Sequence, residues 1–197
     1  PAIPEGAEAG IIKGMYAFRK ATGKSKHRVQ LMGCGSILRE VIAAADLLKA
    51  DWDVEADIWA TPSLNELARD GNACERWNTY HPDQEPRLPW ITQCLQGTEG
   101  PVIASTDYIR QFAEQVRAYV PNDFHVLGTD GFGRSDSRQA LRHHFEVDRY
   151  YVTVAALKAL ADEQKSSKAK GKITAKTVLE AMAKYGIDPE KPNPLYA

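Results

Sequence analysis

The sequence predicts an α/β fold in which a mostly parallel sheet carries helices on both faces. Three observations point there. Four short apolar runs, at residues 28–32, 54–60, 101–105 and 124–127, each precede a stretch of helical periodicity. Residues suited to capping helices stand at the junctions between them. The short strands alternate along the chain with amphipathic helices, the pattern of a mostly parallel sheet covered on both faces. Right-handed crossovers then restrict the topology to an open doubly wound layer.

The elements follow in order. Residues 1–10 are small, acidic and rich in Pro and Gly, and read as a linker to a domain over 11–197. Residues 11–21, with Ile11, Ile12, Met15, Tyr16 and Phe18, read as an extended segment. Arg28-Val29-Gln30-Leu31-Met32 is a strand, and Gly33-Cys34-Gly35 turns the chain. Ser36 stands where a helix N-cap is expected, and Ile37, Leu38, Val41, Ile42, Ala45 and Leu48 trace one helical face. After the strand at 54–60, Ser63-Leu64-Asn65-Glu66 has the form of a capping box. Pro82, Pro86 and Pro89 predict a loop over 77–89, and residues 90–96 one or two helical turns. Thr106 or Asp107 is placed to cap a helix with an apolar face of Ile109, Phe112, Ala113, Val116 and Val120. A basic helical stretch is expected over 137–145, and a helix capped by Asp148 over 149–161. Residues 164–172 (QKSSKAKGK) form a low-complexity loop, and the last helix, 174–185, ends at Gly186.

Composition narrows the function classes. A chain of 197 residues suits one domain, and 43% hydrophobic with 26% charged residues is a globular balance. The 25 basic and 26 acidic residues leave a net charge of -1, which argues against nucleic acid as a partner. No apolar run reaches the ~20 residues that cross a bilayer, so no membrane is expected. The three cysteines form no C-x-x-C pair and suit the reducing cytoplasm. The first residues lack the charged and apolar regions of a signal peptide. They also lack a Met, which fits either its removal or a cut from a longer chain.

Two glycine turns invite a chemical reading. Gly33-Cys34-Gly35-Ser36 joins a strand to a helix, the place for a phosphate-binding turn, but position 38 is Leu where a third glycine would complete the dinucleotide fingerprint. It reads either as a packing turn or as the site of a stand-alone phosphate-ligand-binding module. Gly131-Phe132-Gly133 is a second such turn, and its Phe132 docks either into the domain's own core or onto a neighbouring subunit. Arg134, Arg138 and Arg142 recur every four residues, with His143 and His144 beside them. On a helix they would form a basic stripe, either a solvated face or an interface to an acidic partner. No H-x-x-x-H, H-x-x-E-H or G-x-S-x-G pattern is present, so neither a helical zinc site nor a marked nucleophile is expected.

These runs carry a family resemblance. Val126-Leu127-Gly128-Thr129-Asp130-Gly131-Phe132-Gly133-Arg134-Ser135-Asp136-Ser137-Arg138 and Leu141-Arg142-His143-His144-Phe145-Glu146-Val147-Asp148 resemble the C-terminal part of the homodimeric pyruvate dehydrogenase decarboxylating components. So do Glu66-Leu67-Ala68-Arg69-Asp70-Gly71, Cys74-Glu75-Arg76-Trp77-Asn78, Ala104-Ser105-Thr106-Asp107-Tyr108 and Phe112-Ala113-Glu114-Gln115-Val116-Arg117. That family comprises three-domain enzymes of the transketolase type, dependent on thiamine diphosphate and magnesium. They decarboxylate pyruvate and reductively acetylate the lipoyl group of a dihydrolipoyl acetyltransferase subunit.

The resemblance implies a three-layer, open, mostly parallel five-stranded sheet with one antiparallel strand, which residues 11–21 could supply. It also implies a domain that supports homodimer assembly and contacts the other domains of its chain. The family's G-D-G stretch with its following Asn is absent, and Asp130-Gly131 does not replace it. No catalytic, cofactor-binding or metal-binding residue is therefore carried over. Phe132, Arg134, Arg138, Arg142 and His143 are the interface candidates.

Overall fold

A computed structural model describes residues 2–166 and 172–197. Part of the low-complexity stretch, residues 167–171, lies outside the described residues. The elements are α1 (Glu8–Ile12), β1 (Tyr16–Arg19), β2 (His27–Gly33), α2 (Leu38–Trp52), β3 (Val54–Ala60) and α3 (Leu64–Tyr80). They continue with α4 (Trp90–Leu95), β4 (Val102–Ser105), α5 (Arg110–Glu114), β5 (Phe124–Leu127), α6 (Arg138–His144), α7 (Arg149–Ser166) and α8 (Ala175–Tyr185).

The strands form one five-stranded sheet in the order β1-β3-β2-β4-β5. β2 pairs in parallel with β3 and with β4, and β4 with β5, while β1 runs antiparallel to β3. The expected architecture is therefore present, with its antiparallel strand inside the segment 11–21. That segment is not extended throughout. Residues up to Ile12 belong to α1, which spans the boundary expected at residues 10 and 11, and Ala7 and Gly10 are buried.

Strand side chains alternate between two cores, as the period of two demands. Val29 and Leu31 of β2, Ile58 of β3 and Ile103 of β4 pack with α2, α7 and α8. Met32, Trp59, Val102, Ala104 and Val126 point the other way and pack with α3, α4 and α5. Both sheet faces are thus covered. Glu55 and Ser105 are buried polar residues of the strands, and so is Gln30, which at 1% exposed would be costly there unpaired. Its Oε1 accepts from Trp59 Nε1 at 2.9 Å and its Nε2 donates to the Glu99 carbonyl at 3.0 Å.

Several local expectations are corrected. Ser36 does not cap α2; it lies inside a short 3-10 turn, Gly35–Ile37, that precedes the helix. The side chain is withdrawn from the helix end by a bond from Ser36 Oγ to Asp107 Oδ2 at 3.2 Å. The loop expected from residue 77 starts later, because α3 continues to Tyr80, two residues before the first of the three prolines. The single helix expected after residue 107 is α5 followed by a 3-10 turn, Arg117–Tyr119. Gln115 Nε2 donates to the Phe112 carbonyl at 2.6 Å, and Val116 N–H turns to Ala113 instead. A side-chain donor has taken the acceptor that the next helical turn requires. Neither Thr106 nor Asp107 caps α5: the Arg110 N–H donates to Asp130 Oδ1 at 2.9 Å, from the loop after β5.

At Ser63 the expected cap is present, with Ser63 Oγ accepting from Glu66 N–H at 3.1 Å. The reciprocal half is not, since Glu66 Oε2 pairs with Arg69 at 2.9 Å. Ser63→Ala is expected to lower unfolding stability by about 1 kcal/mol, read as a lower urea midpoint at unchanged slope.

Candidate functional site

The strand order places one edge of the sheet apart. After β2 the chain moves outward to β3, then returns past β2 to lay down β4 and β5. The order reverses between β2 and β4, and crevices in open α/β sheets lie at the carboxyl ends of such strands. Here β2 ends at Gly33 and β4 at Ser105, tied by Cys34 N–H to the Ser105 carbonyl at 3.2 Å. The backbone closes tightly at Gly33, where a Cβ would sit 2.8 Å from Leu38 Cα. Gly33 thus serves packing. Gly35 and Ser36 of the short 3-10 turn that follows are exposed but stand beside the Asp107 carboxylate, so by itself the turn offers an anion little.

The loop after β5 builds the other wall. Gly131 has φ +101°, and a Cβ there would lie 2.1 Å from the Pro194 carbonyl oxygen, so only glycine fits. Phe132 next to it is 81% exposed, which places it outside the domain's own core. Tyr108, Ile109, Leu195 and Tyr196 are also exposed. Backbone contacts join their segments: Thr129 N–H donates to the Tyr108 carbonyl at 2.9 Å, and Gly131 packs on the 194–195 backbone. The carboxyl edge of the sheet thus wears an apolar collar.

Arg134, Arg138 and Arg142 do not form one helical stripe. Ser137 Oγ accepts from Ala140 N–H at 3.2 Å and starts α6 at Arg138, so Arg134 lies in the loop before the helix. The fold nevertheless brings all three arginines to the wall of one open cavity of about 330 Å³. Ser36, Asp107 and Thr129 supply its other polar atoms, and Ile37, Leu141, Phe145 and Val147 its apolar surface.

Sequence reading missed the residue that anchors this wall. Glu40, in the first turn of α2, is 5% exposed. Its Oε1 accepts from Arg142 Nη1 at 2.8 Å and Arg149 Nη2 at 3.2 Å. Its Oε2 accepts from Arg149 Nε at 2.9 Å and from the Arg149 N–H at 3.1 Å. Burial alone would push the Glu40 carboxyl up, but the Arg149 hydrogen bonds and the two guanidinium charges more than offset it and hold it below the usual carboxylate range. A glutamate in a first helical turn normally reads as a partner for the helix dipole, so nothing in the sequence marked it.

Asp148 caps α7 as expected, accepting from the Tyr150 and Tyr151 N–H groups at 2.9 and 3.0 Å. His143 Nδ1 stands 3.0 Å from Asp148 Oδ2, so this candidate is tied to the start of α7. His144 points elsewhere, against Phe145. Burial, with Lys191 and Arg134 nearby, keeps its ring below the usual histidine range.

No group of three or more His, Cys, Asp and Glu is assembled to hold a metal ion among the described residues. Asp130 is spent on the Arg110 N–H, and Gly131 on close packing. These donors do not fit a magnesium-bound diphosphate. None of the described helices is long and apolar enough to cross a membrane.

Strand order, switch-point crevice and two-sided cores define an open α/β domain of the kind found as the last unit of transketolases. Transketolase from Leishmania mexicana superposes with a TM-score of 0.54 at 15% identity, covering 86% of this chain and 21% of that one. A Pichia stipitis transketolase complexed with fructose 6-phosphate gives 0.55 at 16% identity, covering 82% and 20%. The chain belongs to the transketolase-like TK C-terminal domain family, whose pattern matches residues 14–148. It is 58% identical over 196 residues to the pyruvate dehydrogenase E1 component of Pseudomonas aeruginosa, covering 99% of this chain and 21% of the relative. For the same component of Escherichia coli the identity is 54% over 198 residues. The chain spans about a fifth of the length of the curated relatives it matches.

Proposed function

We propose that this chain is the C-terminal, bracing domain of a pyruvate dehydrogenase E1 component and holds no catalytic centre of its own. Such a component decarboxylates pyruvate and reductively acetylates the lipoyl group of dihydrolipoyl acetyltransferase in the cytoplasm, with thiamine diphosphate and magnesium held by its other domains. The observation that carries the reading is the collar: Phe132 and Tyr196 are 81% and 84% exposed at the same edge of one sheet. Exposed apolar groups collected at one place mark an interaction surface. In this reading the collar meets the other domains of the chain and the second subunit of a homodimer. Arg134, Arg138, Arg142 and His143 border that contact. The acetyltransferase subunit is a partner of the assembled component.

Supplied with pyruvate, thiamine diphosphate and magnesium, these 197 residues alone are expected to release carbon dioxide no faster than a protein-free control. The full-length protein is expected to turn over under the same conditions. Turnover by the short chain would overturn the proposal.

A further inference from the structure

The cavity at the switch point carries charge that the described residues of this domain do not answer. Arg142 is committed to Glu40 and also donates to Ser36 Oγ at 3.3 Å. Arg149 shares Glu40, so one carboxylate already serves two guanidinium groups. Arg134 and Arg138 have neither an ion-pair nor a hydrogen-bond partner among the described residues. The facing acid, Asp107, accepts from Ser36 and leaves the wall with a cationic excess.

Below the arginines the surface changes character. Leu141 and Phe145 are half-buried and present the apolar surface, backed by Ile37 and Val147, which are 1% exposed and belong to the core. Together they make an apolar floor under a cationic rim. A volume of about 330 Å³ falls in the range of small-molecule pockets. Arginine forks match the paired oxygens of a phosphate, and an anion here completes the charge balance of the wall.

We propose that this cavity binds a small organic phosphate, a phosphate monoester whose apolar body lies against Leu141 and Phe145. Arg134 and Arg138 grip the phosphate, and Arg142 is held in place behind them by Glu40. The site is formed by the arginines of the 131–142 segment, beside the glycine turn at 33–36 and not on it. It rests on the proposed function in one respect: the cavity must stay open beside the contact that these arginines border.

The test titrates phenyl phosphate into the full-length protein by calorimetry, with inorganic phosphate and phenol as controls. Phenyl phosphate is expected to bind at least tenfold more tightly than either control, and more weakly as salt is added. The double variant Arg134→Gln/Arg138→Gln is expected to lose at least tenfold in affinity. Gly133→Leu tests the cavity without touching its charge. Gly133 lines the cavity and a Cβ there meets nothing within 4 Å, so the variant is expected to fold while adding bulk at the lining, and binding is expected to weaken. Melting curves unchanged in both variants separate loss of the site from loss of the fold. Three results would each overturn the proposal: no measurable heat, inorganic phosphate binding as tightly as phenyl phosphate, or affinity unchanged in both variants.

Discussion

Glu40→Ala is expected to destabilise the chain by about 3 kcal/mol, with α6 and α7 loosened from α2. Removing one partner from a buried ion pair typically costs ~3–5 kcal/mol, because the remaining charge stays desolvated. The lower end applies because the Arg149 side chain is 43% exposed and recovers some water when its partner goes. Arg142 is only 19% exposed and carries most of the loss. Urea titration measures the change. A midpoint within error of the parent would show that the Glu40 bonds add nothing net.

The same group sets a pH dependence. Its native pKa is lowered, so folding binds fewer protons there than the unfolded chain does. Its contribution is complete above the unfolded carboxylate range, about pH 4.3 for glutamate. It is lost as pH falls through the lower native value. Asp51 and Glu114 are also lowered, by Lys184 and by Arg117 respectively, and share the acid limb. Comparison with Glu40→Gln isolates the one group. The stability difference between parent and variant is expected to hold near neutrality and to shrink as the solution is acidified. A difference that stays constant into strong acid would remove the carboxylate charge from the explanation.

What the sequence disclosed and what it withheld separate by range. β2, β3, β4 and β5 are each an apolar run a few residues long, and both sheet faces are covered, so periodicity located them. Ser63, Asp148 and Gly186 cap helices through groups within three residues, and they too were legible. Asp130 capping α5 from the loop after β5 was not, because the donor and acceptor are brought together only by strand order. Glu40 belongs to the same class: its partners lie 102 and 109 residues away, and no local pattern distinguishes it from a surface glutamate. The arginine spacing of four suggested a shared face, and the fold delivers a shared cavity by a different route. A loop residue and two helical ones converge because Gly131 turns the chain against 194–195, a contact with no signature at either end.

Phe132→Ser in the full-length protein is expected to raise the dissociation constant of the proposed homodimer between about thirtyfold and a thousandfold. A central aromatic at an interface is worth ~2–4 kcal/mol when truncated, and every 1.4 kcal/mol is a factor of ten. Phe132 suits that role by position. It projects from a loop held rigidly at both ends, by the Gly131 contact with the Pro194 carbonyl and by the Ser137 cap of α6. Little of its surface is buried within the domain, at 81% exposure, so its removal is expected to change the domain's own stability by less than about 0.5 kcal/mol. The pair of readouts makes the test specific. Sedimentation velocity over a dilution series reports association, and urea unfolding reports the fold. Weakened association with an unchanged unfolding midpoint is what a docking side chain produces, since the lost burial exists only in the assembled state. Identical sedimentation of variant and parent at every concentration would place the subunit contact elsewhere on the molecule. A lowered midpoint would return Phe132 to the domain's own packing.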